Sequence, residues 1–137
     1  MADKNDNDPL KDLLLDADEV DRAQLAKALK NYLGIDSKTG RVVLKPGFKT
    51  LSTRNRVLTY LLGYKVSTLL GLIDSEEVAP KDIPNETGLP KGTVYPKLKE
   101  LKEDRLISQS DSSKYYVAPH QILTAIEVLN KEGIKND

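Results

Sequence analysis

The chain has 137 residues with 21 basic and 21 acidic side chains, so its formal net charge is zero. That length suits one domain, or one domain with an elaborated end, which buries roughly two-thirds of its unfolded surface without needing a staple. The chain has no cysteine and no apolar run near the ~18 residues that span a bilayer, which excludes disulfides, thiolate metal sites and a membrane helix.

The first residues, Met1 to Asp8, are polar and acidic, unlike a signal peptide, and read as a disordered leader of a cytoplasmic protein. Charge is segregated along the chain. Residues 1–21 hold eight acids against Lys4 and Lys11, a net of −6, which leaves +6 for the remainder. Residues 37–73 contain no acid, and carry Lys38, Arg41, Lys45, Lys49, Arg54, Arg56 and Lys65. Such a run is either a solvated basic face or a surface for an anionic partner.

Asp8-Pro9 predicts a short helix through Leu10, Leu13 and Leu14, with Pro at its first position. A second helix starts at Asp18, whose side chain caps the backbone near Asp21. It runs to about Leu33, with Leu25, Leu29, Tyr32 and Leu33 on one face and Gly34 as a left-handed stop. Residues 35–44 place two β-prone pieces around a turn rich in Asp, Ser and Gly, which predicts a hairpin broken by Lys45-Pro46-Gly47.

Ser52 then caps a long helix over about 53–71. Its apolar stripe of Val57, Leu58, Leu61, Leu62, Val66, Leu69 and Leu70 puts it at the centre of the core. Pro80 opens a short helix that ends at Thr87-Gly88. Another starts after Leu89 and runs to about Asp104. Residues 106–109 and 114–117 read as two strands joined by the turn Ser110 to Ser113. Pro119 opens a last helix with Ile122, Ala125, Ile126 and Leu129 on one side.

Two helices joined by a short turn containing Gly are the signal of a helix-turn-helix, and the hairpin after the second is a wing. The turn here is Thr87-Gly88-Leu89-Pro90. In the second helix Val94, Leu98 and Leu101 share a core face. Gly92, Thr93, Lys99 and Glu103 project the other way, with Tyr95 and Lys102 on a flank. Near the N-terminal end, Thr93 and Tyr95 suit base edges, and Lys91, Lys97, Lys99 and Lys102 suit phosphates. Lys81 ahead of the first helix, Ser113 and Lys114 of the wing, and Arg54 and Arg56 in the first turn of the long helix complete the expected DNA contacts. The plain alternative for the lysines of 91–102 is an ordinary solvated face.

Around Gly92-Thr93-Val94-Tyr95-Pro96, followed by Leu98, Leu101 and Leu106-Ile107, residues 80–118 resemble the winged helix of prokaryotic transcription regulators. The stretch is similar to the recognition helix of PadR-type repressors. That resemblance implies that helix 91–104 enters the major groove and that a C-terminal helix helps form a homodimer. Residues 18–52 add a helix and hairpin that the family lacks, so no ligand site is carried over. Pro84 stands where helix-turn-helix proteins usually keep a small residue.

The fold class expected is therefore mainly α with small β-hairpins: a winged helix-turn-helix over 53–118, an N-terminal extension over 9–52 and a C-terminal helix over 119–137. Ile122, Ile126 and Leu129 form a stripe that packs on the long helix or crosses a two-fold axis, and the homodimer is the favoured expectation. Catalysis finds no support: His120 is the lone histidine and reads as a surface or capping residue, one of Tyr115 and Tyr116 is packed and the other exposed, and no phosphate loop, cofactor motif, small-molecule site or metal-ligand spacing is present. The expected function is sequence-reading binding of double-stranded DNA, as a transcription regulator. The competing class is a winged-helix module that binds protein instead.

Overall fold

A computed structural model describes residues 8–14 and 17–135. Residues 1–7 of the acidic leader, and the Asp18 side chain expected to cap a helix, lie outside the described residues. The described chain is mainly helical with two small antiparallel hairpins. A 3-10 turn, Pro9–Leu13, comes first, capped as expected by Asp8, whose Oδ1 accepts from the Leu10 N–H at 2.9 Å. Its Leu10, Leu13 and neighbouring Leu14 stay 68–76% exposed.

Helix α1, Ala17–Leu29, ends earlier than the sequence suggests. Gly34 is not its cap. The Tyr32 N–H turns back to the Leu29 carbonyl at 2.8 Å, and the Tyr32 carbonyl takes the Lys45 N–H at 2.9 Å. Strand pairing thus claims the residues that helical spacing had assigned to the last turn. Strand β1, Leu33–Ile35, pairs antiparallel with β2, Val42–Leu44, so that Gly34 faces Val43. The turn between them is built on Asp36, whose carboxylate accepts from the Lys38 and Thr39 N–H groups at 2.8 and 3.2 Å. Those two bonds hold the Asp36 carboxyl below its ordinary pKa range.

A second 3-10 turn, Pro46–Thr50, buries Phe48 and leads into α2, Thr53–Leu69. Ser52 caps this helix as expected, accepting from the Asn55 N–H at 3.3 Å. Val57, Leu58, Tyr60, Leu61 and Leu62 are buried, so α2 meets packing on nearly every side. Leu70 is the exception in the predicted stripe. It lies beyond the last helical residue, ahead of a left-handed Gly71, and is 53% exposed.

Helix α3, Asp82–Thr87, and helix α4, Lys91–Glu103, follow, then β3, Ser108–Gln109, and β4, Tyr115–Tyr116. Both tyrosines are half-buried, rather than one packed and one exposed. Val78, just ahead of α3, bonds in both directions with Tyr115 at 2.8 and 2.9 Å, which anchors the hairpin to the segment before α3. Pro119–Gln121 makes a 3-10 turn into α5, Ile122–Lys135. One apolar cluster runs from Leu25 of α1 to Leu129 of α5.

The hairpin β1–β2 sits on α2 at Gly63. A Cβ there would lie 2.9 Å from Val42 Cγ2 and 3.1 Å from Leu33 Cδ2. Glycine is required because the two elements touch. Gly63→Ala is expected to cost roughly 1–3 kcal/mol through overpacking, read as a lower midpoint in denaturant with an unchanged slope.

Ile122, Ile126 and Leu129, the stripe favoured as a dimer seam, are buried within the single chain, where α5 packs on α1 and α2. Helices α1 and α2 thus cover the stripe, which leaves it no face for a second copy. Ile126→Ala should lower stability by about 2–5 kcal/mol whatever the protein concentration, since the cavity opens inside one chain. A loss that grows on dilution would place Ile126 at a subunit contact.

Candidate nucleic-acid interface

The α3–turn–α4 unit is set by local chemistry. Gly88 adopts φ 75°, the left-handed conformation that closes a helix cheaply, and its N–H bonds the Pro84 carbonyl at 2.9 Å. Pro84 is accommodated in the first turn of α3, where a missing N–H breaks no intrahelical bond. The Thr87 hydroxyl donates to the Ile83 carbonyl at 2.7 Å and accepts from the Leu89 N–H at 3.3 Å, tightening the turn. Ile83 and Leu89 are buried beneath it. Pro90 then leads into α4 without a capping side chain.

In α4 the expected division of faces is present. Val94, Leu98 and Leu101 are fully buried, while Gly92, Tyr95, Pro96, Lys99, Lys102 and Glu103 are exposed. Pro96 lies inside the helix without ending it. Tyr95 is 39% exposed, with Lys91 Nζ 5.7 Å from its ring centroid, within cation–π range. A Cβ on Gly92 would meet nothing within 4 Å, so the outer face of the first turn is bare.

Other predicted residues behave differently. Thr93 is half-buried and does not project with Gly92. Lys97 is also half-buried, and its Nζ lies 3.3 Å from Glu100 Oε2. Lys102 is exposed, but its Nζ donates to Gln109 Oε1 at 2.8 Å, tying α4 to β3. Ser113 and Lys114 are exposed at the hairpin tip, Ser113 with φ 62°. Lys81 is exposed just ahead of α3.

Arg54 and Arg56 turn inward. Arg54 Nη2 meets Asp104 Oδ2 at 2.7 Å and its Nε lies 3.5 Å from Glu100 Oε1, so this guanidinium clamps the C-terminal half of α4 onto α2. Arg56 donates from Nε to the Leu51 carbonyl at 2.9 Å and from Nη2 to the Lys49 carbonyl at 2.5 Å. Neither stands free at the helix end, as its place in the first turn had suggested. Their neighbours in sequence do not reveal this, because the carboxylates that hold Arg54 lie about fifty residues away.

Sequence reasoning also missed Gln121. Its buried amide oxygen accepts from the Ala118 N–H and the Ser108 hydroxyl, both at 2.9 Å, and its Nε2 donates to the Arg105 carbonyl at 3.2 Å. One side chain thus joins the end of α4, strand β3 and the start of α5. A lone glutamine between Pro119 and Ile122 gives no sequence signal of such a role.

Among the described residues, no group of three or more His, Asp or Glu side chains could hold a metal, and no helix is long and apolar enough to cross a membrane. Comparison of the chain with protein-family models, curated proteins and solved structures found no match.

Gln121→Leu leaves three polar groups without their partner, the Ala118 N–H in a buried position and the Ser108 hydroxyl and Arg105 carbonyl in half-buried ones. It is expected to destabilise the fold by at least about 2 kcal/mol, with faster hydrogen exchange at Leu106 and Ala118. Full protection at both amides in the variant would show that the amide is not what binds these elements together.

Proposed function

We propose that the chain is a winged helix-turn-helix protein that binds double-stranded DNA and regulates transcription, with α4 entering the major groove and β3–β4 as the wing. The observation that carries this reading is the two-sided character of α4. Its inner face is locked into the core, while its outer face, from Gly92 through Tyr95 and Lys99, is exposed; Glu100 on the flank is engaged by Arg54 and Lys97, which leaves Glu103 at the far end as the exposed acid of the helix. A major groove about 12 Å wide admits a helix whose inner side is held in this way. The hairpin that follows, with Ser113 and Lys114 at its tip, suits an adjacent backbone or minor groove. Lys91, Lys99 and Lys81 suit phosphate. Thr93, Lys97 and Lys102 have reduced freedom and support the helix more than they read DNA.

The similarity of residues 92–107 to PadR-type repressors supports the same reading and extends it to repression. A reader of chromosomal DNA works in the cytoplasm, and that localisation belongs to the proposal. A homodimer on two half-sites would use a surface other than the Ile122–Leu129 stripe. A second reading, a protein-binding module, is favoured by one observation: the leucines of Pro9–Leu13 and Leu14 are exposed together.

Gly92→Glu is the sharpest test. Its Cβ enters open space, so the fold stays intact and melting is unchanged or slightly raised, while a carboxylate now opposes the phosphates. Affinity for a duplex should fall at least tenfold in a fluorescence anisotropy titration. Lys99→Ala should weaken all duplexes alike and reduce the log–log salt slope by about 1. Wild-type affinity in Gly92→Glu would remove α4 from the interface.

A further inference from the structure

A second basic surface lies beside the α3–α4 turn. A groove of about 670 Å³ runs between that turn and the 3-10 turn Pro46–Thr50. Lys45, Lys49 and Arg56 line one side, Thr87, Gly88 and Leu89 the other, and no carboxylate is among the described residues that line it. The nearest acid in sequence, Glu86, is 3.5 Å from Arg41 and so already partnered.

Two of these cations, Lys45 and Arg56, are held in place, and the third, Lys49, is fixed at its backbone. Lys45 Nζ donates to the Lys30 carbonyl at 2.7 Å, just past the end of α1, which leaves two of its three donors for a ligand. Arg56 grips the carbonyls of Lys49 and Leu51 and so fixes the backbone that carries the Lys49 side chain. Gly47 lets this turn lie flush on the end of α1, since a Cβ there would overlap the Asn31 carbonyl oxygen. A cation fixed before binding loses less freedom when it binds.

We infer that this groove takes the phosphate backbone of the same duplex that α4 enters, through Lys45 and Lys49, with Arg56 as a positioning residue. The inference rests on the DNA-binding reading of α4. Continuity favours a duplex over an acidic protein segment: Leu89 forms part of the groove and stands two residues before Lys91, the first residue of α4. The helix and hairpin ahead of α2 therefore widen the footprint on DNA. They do so through the 45–49 turn, while Arg54 and Arg56 stay engaged within the chain.

The test titrates the full chain against one random-sequence duplex over a salt series. The proteins are wild type, Lys45→Ala/Lys49→Ala, and Gly92→Glu, each with its melting curve. The double variant is expected to bind about tenfold more weakly and to lose about 1.8 from the log–log salt slope, at ~0.9 per phosphate contact. Lys49→Glu alone, at an exposed position, repeats the test without breaking the Lys45–Lys30 bond and should weaken binding at least threefold. Unchanged affinity and slope in both lysine variants, with binding lost in Gly92→Glu, overturn the groove and leave α4 in place. Weaker binding in the lysine variants with none lost in Gly92→Glu supports phosphate in the groove and overturns α4 as the reading helix. A wild-type protein that binds no duplex at low salt, and instead binds an acidic peptide through Lys45 and Lys49, overturns both.

Discussion

The structure depends on the burial of α2. A helix with one apolar stripe can lie on a surface, but one that hides Val57, Leu58, Tyr60, Leu61 and Leu62 must be enclosed. Helices α1, α3, α4 and α5 and both hairpins are partial walls around it. The β1–β2 hairpin approaches at Gly63, and α4 packs with Leu98 and Leu101 in the same cluster. Helices α1 and α5 close the remainder. Each fully buried aliphatic side chain contributes about 1.5–3 kcal/mol, so enclosure sets the scale of stability. It also explains why the extension is joined to the rest of the chain through a shared core.

Apolar burial does not fix orientation, and buried or half-buried polar contacts supply it. Glu132 of α5 lies at the start of α2, where its carboxylate accepts from the Ser52 N–H at 2.6 Å, the Ser52 hydroxyl at 2.8 Å and Asn55 Nδ2 at 2.5 Å. A carboxylate at the positive end of a helix dipole gains from the field as well as from the bonds. Gln121 does the corresponding work at the C-terminal end of α4, and the buried Lys65 reaches Glu76 at 3.3 Å to hold the segment between α2 and α3. Arg54 links α2 to α4 directly. These contacts fix how α4 is presented, and its outer side chains have meaning for a ligand only in that presentation.

Zero net charge conceals a strongly segregated sequence. Acids collect in the first 21 residues, while the span 37–73 holds none and includes the enclosed helix α2. Within that span the cations divide by what surrounds them. Arg54 and Arg56 have carboxylates and carbonyls in reach and serve the fold. Lys45 and Lys49 line an open groove, Lys45 with one of its three donors spent on the Lys30 carbonyl. Long-range attraction depends on the sum, but contact depends on which head groups remain uncommitted.

Much of this was legible in the chain. The caps at Asp8 and Ser52, the hairpin around Asp36, the Gly88 turn and the inner face of α4 rest on neighbours within a few residues, where turn chemistry and periodicity act directly. The boundary at Gly34 is hidden in the sequence because a helix and a strand compete for residues 30–35, and the strand's pairing partners, Val42 to Leu44, lie beyond the turn. Gln121, Glu132 and the inward turn of Arg54 and Arg56 were invisible for the same reason on a larger scale. Their partners lie elsewhere in the chain or in backbone carbonyls that sequence does not display. The buried stripe of α5 marks the limit most clearly. Ile122, Ile126 and Leu129 announce that something covers them, and sequence determines that much. Only the tertiary structure decides that α1 and α2 of the same chain are the cover, because apolar burial is non-directional and carries no label for its partner.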